Sequence, residues 1–144
     1  MDPECEIPDR AATTEEVRRI LTDFRRVAVV GYSDDPSRDS HRVGRYLAAH
    51  GYEVFAVNPQ ARSTEALRFY PDLASVAPPI EVVDIFRRPE FIPAIVDEAI
   101  RLRAKVVWMQ LGLAHNAAAA RARAAGLQVV MNRCMLRDHA ALLG

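Results

Sequence analysis

Short apolar runs alternate along this chain with segments whose apolar residues recur every three to four positions. Five runs, at 27–30, 53–57, 82–86, 105–110 and 127–131, have the length and β-branched content of buried strands. The intervening segments show helical spacing, as Val43, Tyr46 and Leu47 do. Strands that alternate with helices favour right-handed crossovers. The pattern therefore predicts an α/β fold with a doubly wound sheet of about five parallel strands and helices on both faces.

Local signals place several helix ends. Thr13 and Glu16 have the spacing of a capping box, which predicts that the first helix begins there. Pro89 suits the first position of a helix. Residues 1–12 are polar and form a predicted flexible lead-in, so the single folded domain spans 13–144. Residues 60–79 are the least regular stretch, and 65–70 are compatible with either a short helix or a strand.

Composition narrows the functional classes. The 144 residues carry 19 basic and 19 acidic side chains, so the net charge is zero and gives no general electrostatic attraction to nucleic acid or an anionic membrane. No apolar run approaches the length of a membrane span, and the first residues lack the pattern of a signal peptide. Cys5 and Cys134 lie far apart, which favours free thiols and a cytoplasmic location. The four histidines are scattered, so no metal site is predicted.

Polar side chains cluster just after the predicted strands, where ligands bind in open α/β sheets. The candidate ligand-binding residues are Gly31, Tyr32, Ser33, Arg38 and Ser40 after the first strand, Asn58 and Pro59 after the second, Phe86, Arg87 and Arg88 at the third, Gln110 at the fourth, and Asn132, Arg133 and Cys134 at the fifth. These groups suit phosphates, amides and an aromatic ring. They form no catalytic constellation, so the sequence predicts no enzyme activity.

The loop after the first strand indicates a phosphate site. Gly31 permits close backbone approach, and Ser40 or Asp39 is predicted to cap the next helix and leave its N–H groups facing an anion. Arg38 adds a forked, charged donor. The alternative is a plain connecting loop in which Ser40 is only a cap and Arg38 is solvated.

The same loop fails the tests for a nicotinamide dinucleotide. A dinucleotide fingerprint needs three spaced glycines and an acid after the second strand. The turn after the first strand has one glycine, Gly31, and the second strand ends in Asn58 followed by Pro59. Asn58 either binds a ribose or base edge or only forms the turn. Cys134 is either a reactive thiol beside Arg133 or an inert, half-buried side chain.

Taken in order, these motifs resemble those of the small, single-domain CoA-binding proteins, a family akin to the CoA-binding domain of the succinyl-CoA synthetase α subunit. The matching segments are 27–33, 36–40, 51–59, 82–89, 107–112 and 133–134. The chain departs from the family at 61–68, where a glycine is usual, and at Asn132, where an aspartate is usual. The resemblance implies a Rossmann-like fold that binds CoA through its ADP portion.

The resemblance also implies a role for each motif. The phosphates are expected to contact Gly31, Ser33, Arg38 and Ser40. The adenosine and pyrophosphate are expected to lie between Asn58-Pro59 and Phe86-Arg87-Arg88, with Gln110 and Asn132-Arg133-Cys134 lining the rest. The predicted function is therefore the binding of coenzyme A or an acyl-CoA, without catalytic activity and with an unknown protein partner. The alternatives are an NAD(P)-linked or acyl-CoA-dependent enzyme, and a regulatory interaction domain with a vestigial nucleotide pocket.

Overall fold

A computed structural model describes residues 6–144 and arranges their strands in one sheet. With the strands numbered in chain order, their order across the sheet is β3-β2-β1-β4-β5-β6, and every neighbouring pair of strands is parallel. The strands are β1 (Arg26–Val30), β2 (Glu53–Val57), β3 (Phe69–Tyr70), β4 (Val82–Ile85), β5 (Val106–Met109) and β6 (Gln128–Val130). The α/β, doubly wound, Rossmann-like fold is confirmed, with six strands in place of the predicted five.

The additional strand, β3, lies in the irregular stretch between β2 and β4. Its two residues pair with the end of β2, Phe69 opposite Ala56 and Tyr70 opposite Val57. Two residues are too few to show the alternation by which a strand is recognised in a sequence. A single 3₁₀ turn at Leu73–Ser75 follows, and no α-helix forms between β2 and β4.

Five α-helices cover the two faces of the sheet in the described chain. They are α1 (Thr14–Asp23), α2 (Asp39–Ala49), α3 (Ile92–Arg101), α4 (Asn116–Ala124) and α5 (Met135–Leu142). The predicted capping box is present, because the Glu16 N–H donates to Thr13 Oγ1 and the Thr13 N–H to Glu16 Oε1, both at 3.1 Å. Pro89 begins a 3₁₀ turn that leads into α3.

The sheet separates two hydrophobic cores. Residues of α1, α2 and α5 pack on one face around Trp108, which is fully buried. Residues of α3 and α4 pack on the other face, where the small Ala118 and Ala122 of α4 lie in the same cluster as Val96 of α3. The alternation of side chains along β4 and β5 supplies both cores at once.

The described part of the lead-in is hydrogen-bonded to the start of α4. The Asp9 N–H donates to Oδ1 of Asn116, and Nδ2 of Asn116 donates to the carbonyl of Ile7, both at 2.9 Å. Residues 6–12 contain no helix or strand. Cys5 and the rest of 1–5 lie outside the described residues.

A glycine inside α2 has a packing role that its helix position does not suggest. A Cβ on Gly44 would overlap the ring of Tyr32, a side chain that is 2% exposed. Alanine normally favours a helix over glycine by about 0.5–1 kcal/mol. We nevertheless expect Gly44→Ala to lower the free energy of unfolding by about 1–2 kcal/mol, because a buried ring must move.

Urea denaturation of the purified variant measures this effect. A matched control is Ala48→Gly at an exposed position of the same helix, which is expected to cost only about 0.5–1 kcal/mol. A Gly44→Ala protein as stable as the wild type, or more stable, would show that Tyr32 does not need the missing Cβ.

Candidate ligand site at the carboxyl ends of the strands

The order of the strands reverses between β1 and β4, which is where ligands bind in open α/β sheets. Gly31 follows β1 at this point with a φ of +90°, and its N–H donates to the Val57 carbonyl at 2.9 Å. A Cβ here would overlap the backbone carbonyl oxygen of Phe86. Glycine is therefore required at position 31 for the approach of two chain segments, which is a packing role the sequence did not reveal.

The loop from Gly31 to α2 is held by its own hydrogen bonds. Ser40 Oγ accepts the Ser33 N–H at 2.8 Å, and Nδ1 of His41 donates to the Ser33 carbonyl at 2.8 Å. Ser37 donates its N–H and hydroxyl to Asp35, and these bonds lower the pKa of that carboxyl. Hydrogen bonds within the chain therefore fix the shape of this loop.

The predicted helix cap is wrong. The residue that precedes α2 is Arg38, and its side chain makes no capping hydrogen bond. Ser40 lies one position beyond Asp39 inside the first turn, where its hydroxyl serves the loop instead of the helix end. The start of α2 therefore has no side-chain cap, a state in which helix N–H groups can bind an anion.

The larger cavity beside this loop lies between the first turns of α2 and α5, and we call it the α2–α5 cavity. Its volume is about 620 Å³, and it opens at the ends of β4 and β5. It is lined by Asp39, Arg42, Val43, Phe86, Arg87, Arg88, Pro89, Gln110, Leu111, Leu113, Cys134, Leu136 and Arg137. Four arginines against one carboxylate make its lining strongly basic.

A smaller cavity lies on the opposite face of the sheet, and we call it the α3 cavity. Its volume is about 240 Å³. It is lined by Val30, Gly31, Val57, Pro59, Pro71, Asp72, Leu73, Arg87, Ala94, Ile95 and Glu98. Arg87 lines both cavities, so its half-buried side chain stands where they meet at the strand ends.

The arginines of the α2–α5 cavity differ in how they are held. Arg42 pairs with Asp39, and Arg88 lies 3.5 Å from a Glu90 carboxylate oxygen. The Arg87 guanidinium lies 4.2 Å from the centre of the Phe91 ring and has no carboxylate partner among the described residues. A cation that faces a ring instead of an acid keeps its charge available for an anionic ligand.

Seven of the predicted site residues line these two cavities. They are Gly31, Pro59, Phe86, Arg87, Arg88, Gln110 and Cys134. Arg38 is exposed and lines neither of them. Tyr32 is buried and lines a third, smaller cavity of about 200 Å³ on the outer side of the loop.

The other predicted residues hold loops in place. Asn58 Nδ2 donates to the Tyr32 carbonyl at 3.0 Å, which joins the ends of β1 and β2. Asn132, at a φ of +58°, accepts the Gly112 N–H on Oδ1 at 2.7 Å. Ser33 and Ser40 bond to each other within the first loop, as described above.

The side chain of Arg133 forms an ion pair with Asp138 and lines neither the α2–α5 nor the α3 cavity. Its Nε donates to Asp138 at 2.7 Å and its Nη2 at 3.1 Å, and these bonds raise its pKa. The backbone carbonyl of Arg133 accepts the indole N–H of Trp108 at 2.8 Å. This residue therefore orders the segment between β6 and α5.

Several cavity residues were not anticipated from the sequence. Arg42 and Val43 come from the first turn of α2, and Leu136 and Arg137 from the first turn of α5. None of them directly follows a strand. The signal in α2 was the helical spacing of Arg42 and Val43, three and four positions after Asp39, which places them on the same side of the helix. Leu136 and Arg137 gave no such signal, because Arg133 precedes the first turn of α5.

The chain matches a known protein family over most of its length. The sequence profile of the family described as CoA binding domain matches residues 25–140. The chain belongs to this family. The protein YneT of Bacillus subtilis (strain 168), itself described as uncharacterized, is 35% identical over 125 residues, which are 87% of this chain and 93% of YneT.

Solved structures agree with that membership. A hypothetical protein from Pyrococcus horikoshii OT3 is 41% identical, with a TM-score of 0.89 over 96% of this chain and 98% of that one. The dinucleotide-forming acetyl-coenzyme A synthetase 1 of Ca. Korarchaeum cryptofilum has a TM-score of 0.65 over 78% of this chain and 27% of its own. At 22% identity, the latter likeness concerns the fold alone.

Residues 6–144 contain neither a cluster of metal ligands nor a membrane-spanning helix. No three His, Cys, Asp or Glu side chains in this range are grouped as metal ligands. No helix in the same range has the length and apolar character needed to cross a membrane.

Proposed function

We propose that this protein binds coenzyme A, or a thioester of it, across the carboxyl ends of β1 and β4, and that it has no catalytic activity of its own. The observation that carries the proposal is the position of Arg87, which lines cavities on both faces of the sheet beside Gly31. Coenzyme A has an adenosine at one end, a thiol at the other and a pyrophosphate between them. The site has a matching arrangement, with a cavity on each face of the sheet and the Arg87 guanidinium where the two cavities meet.

Each part of the ligand has a region of the site that suits it. The α3 cavity presents Val30, Leu73 and Ile95 to the adenosine. Arg87 and the uncapped start of α2 supply charge and N–H donors for the phosphates. The α2–α5 cavity would hold the thiol arm. Arg38 is part of the proposal as a further phosphate contact from the exposed loop.

The hydrogen bonds of the two serine hydroxyls in the first loop, and of His41, support a role in binding instead of catalysis. The Ser33 and Ser40 hydroxyls both accept backbone N–H groups of the first loop, and His41 donates to a backbone carbonyl. None of these three forms a nucleophile–base pair of the kind that acyl transfer needs. We also retain a cytoplasmic location in the proposal, because the cysteine pattern favours a reducing compartment.

Isothermal titration with CoA, NAD⁺ and NADP⁺ tests the proposal. We expect CoA to bind with a micromolar or lower Kd and the two dinucleotides to bind far more weakly, because no acid follows β2 to hold the ribose. An absence of CoA binding at high micromolar concentration would overturn the proposal. Tight NAD⁺ binding, or turnover of an acyl-CoA, would favour the enzyme alternative.

The position of Cys134 adds a redox prediction. Its side chain lines the cavity proposed for the thiol arm. Attack of the Cys134 thiolate on a CoA disulfide would form a protein–CoA disulfide, break the original S–S bond and release one CoA thiolate, which takes up a proton. Intact-mass spectrometry after exposure to CoA disulfide is expected to show this adduct.

The second cysteine of the chain supplies the control for that experiment. We expect the adduct to persist in Cys5→Ser, to disappear in Cys134→Ser and to be released by reductant. An adduct that is lost only in Cys5→Ser, or no adduct in the wild type, would show that Cys134 does not react with the ligand.

A further inference from the structure

A buried amide forms part of the wall of the α2–α5 cavity. Gln110 is 4% exposed, and its Oε1 accepts the backbone N–H of Met135 at 3.2 Å. Because a backbone N–H is only a donor, this bond fixes which end of the amide is oxygen and which is nitrogen. The end of β5 is thereby tied to the first residue of α5, with the nitrogen left on the other side.

The nitrogen of that amide has no partner in the described chain. Within residues 6–144, the side-chain oxygens and nitrogens that are sealed from solvent and lack a hydrogen bond belong to Asp84. Nε2 of Gln110 is therefore open to the cavity that its side chain lines. A donor with no protein partner that faces a cavity favours a ligand that brings a hydrogen-bond acceptor.

The interior of the same cavity is apolar. Val43 is buried and Phe86, Leu113 and Leu136 are half-buried, whereas the charged lining residues Arg42, Arg88 and Arg137 are exposed. The half-buried Arg87 lies at the boundary with the α3 cavity. A free thiol end would offer this interior a weak acceptor and little apolar surface. A thioester offers a carbonyl oxygen with an apolar chain attached.

We propose that the preferred ligand is an acyl-CoA with an apolar acyl group, whose thioester carbonyl accepts a hydrogen bond from Nε2 of Gln110. The acyl chain then packs against Leu113 and Leu136. This inference rests on the proposed binding of CoA at the same site, and it adds the class of thioester that the site selects.

Titration calorimetry with CoA, acetyl-CoA and butanoyl-CoA tests the preference. In the wild type we expect butanoyl-CoA to bind at least about tenfold more tightly than CoA, the scale of one hydrogen bond with some apolar burial. Equal affinities for the three ligands would overturn the inference and leave CoA binding intact. Binding of none of them would overturn the proposed function as well.

The variant Gln110→Glu isolates the nitrogen. Glutamate keeps an oxygen for the Met135 N–H and removes the Nε2 donor. We expect the preference for butanoyl-CoA over CoA to fall to within about threefold, with a smaller change in the affinity for CoA itself. The added negative charge acts on the phosphates of both ligands alike, so an equal loss of affinity for both, with the preference unchanged, would show that Nε2 does not bind the thioester carbonyl.

A second variant keeps the test decisive if Gln110→Glu does not fold. Leu136→Ala shortens a half-buried wall residue without touching the amide. We expect it to weaken the binding of butanoyl-CoA by a larger factor than that of acetyl-CoA or of CoA, so that the preference for the longer acyl chain falls. An unchanged preference would show that the acyl chain does not lie against Leu136.

Discussion

Replacing Arg87 by alanine is expected to weaken CoA binding by about 1.5–3 kcal/mol, a factor of roughly 10 to 150 in Kd. Arg87 is the cation that lines both the α2–α5 and the α3 cavity, and no carboxylate in the described chain neutralises it. A ligand with phosphates at its centre would therefore lose a charge-assisted contact at the point where the two cavities meet.

Three further variants test how the charge of Arg87, the planar shape of its guanidinium and its place in the site each contribute to CoA binding. Arg87→Lys keeps the charge and loses the planar fork, so an intermediate loss of affinity is expected. Arg38→Ala is expected to have a smaller effect than Arg87→Ala, because Arg38 is exposed and lines neither cavity. Arg18→Ala on α1 is the matched control, since its exposed side chain pairs with Glu15 and lines neither cavity.

Calorimetric Kd values, with a melting curve for each variant, check this ranking. The melting curves are needed because Arg87 also lies over the Phe91 ring. A Kd for Arg87→Ala equal to that of the wild type, in a folded protein, would remove Arg87 from the site.

The second large effect concerns a carboxyl that no ligand touches. Asp84 lies in the middle of β4, fully buried between register partners Val29 and Trp108. Neither of its side-chain oxygens has a hydrogen-bond partner in the described chain, and burial raises its pKa well above the ordinary value of 3.8. The folded protein therefore holds the proton of Asp84 at pH values where the unfolded chain releases it.

That difference makes stability fall as pH rises. Between the ordinary pKa of Asp84 and its raised value in the folded state, the folded state binds one more proton than the unfolded state. The free energy of unfolding then decreases by about 1.4 kcal/mol per pH unit. Below the ordinary value of 3.8 this penalty is absent, and above the raised value it is present in full.

Asp84→Asn replaces the acid by an amide of the same shape that does not titrate. We expect the variant to match the wild type within about 1 kcal/mol near pH 4 and to gain on it by about 1.4 kcal/mol for each pH unit up to the raised pKa of Asp84. Urea denaturation across that range measures the difference. Asp23→Asn, the same change at an exposed position of α1, is the control. Parallel curves for wild type and Asp84→Asn would show that Asp84 is not buried as described.

The parallel strands could be predicted from the sequence because their apolar runs leave no polar face. β1, with the sequence Arg26–Val30, is buried along almost its whole length, so periodicity and burial agree. The sequence left 65–70 open between a short helix and a strand, since the two residues of β3 that pair with the end of β2 carry no periodic signal. The fold class was independent of that strand, because the crossovers alone define it.

The candidate site was predictable only in part, and for a physical reason. Residues that directly follow a strand, such as Phe86 and Gln110, were found because every strand end opens on the same edge of the sheet. Arg42 and Arg137 were missed, since they come together only when the first turns of α2 and α5 meet. Ser40 was misread as a helix cap because a loop hydrogen bond and a cap use the same side chain.

The most direct measurement is a nuclear magnetic resonance titration of the ¹⁵N-labelled protein with CoA. A single CoA that spans both faces predicts amide shifts in the α3 cavity, at Gly31 and Leu73, and in the α2–α5 cavity, at Gln110 and Leu136, with one common saturation point. Shifts confined to one cavity, or absent from both while CoA binds elsewhere, would contradict binding across the sheet.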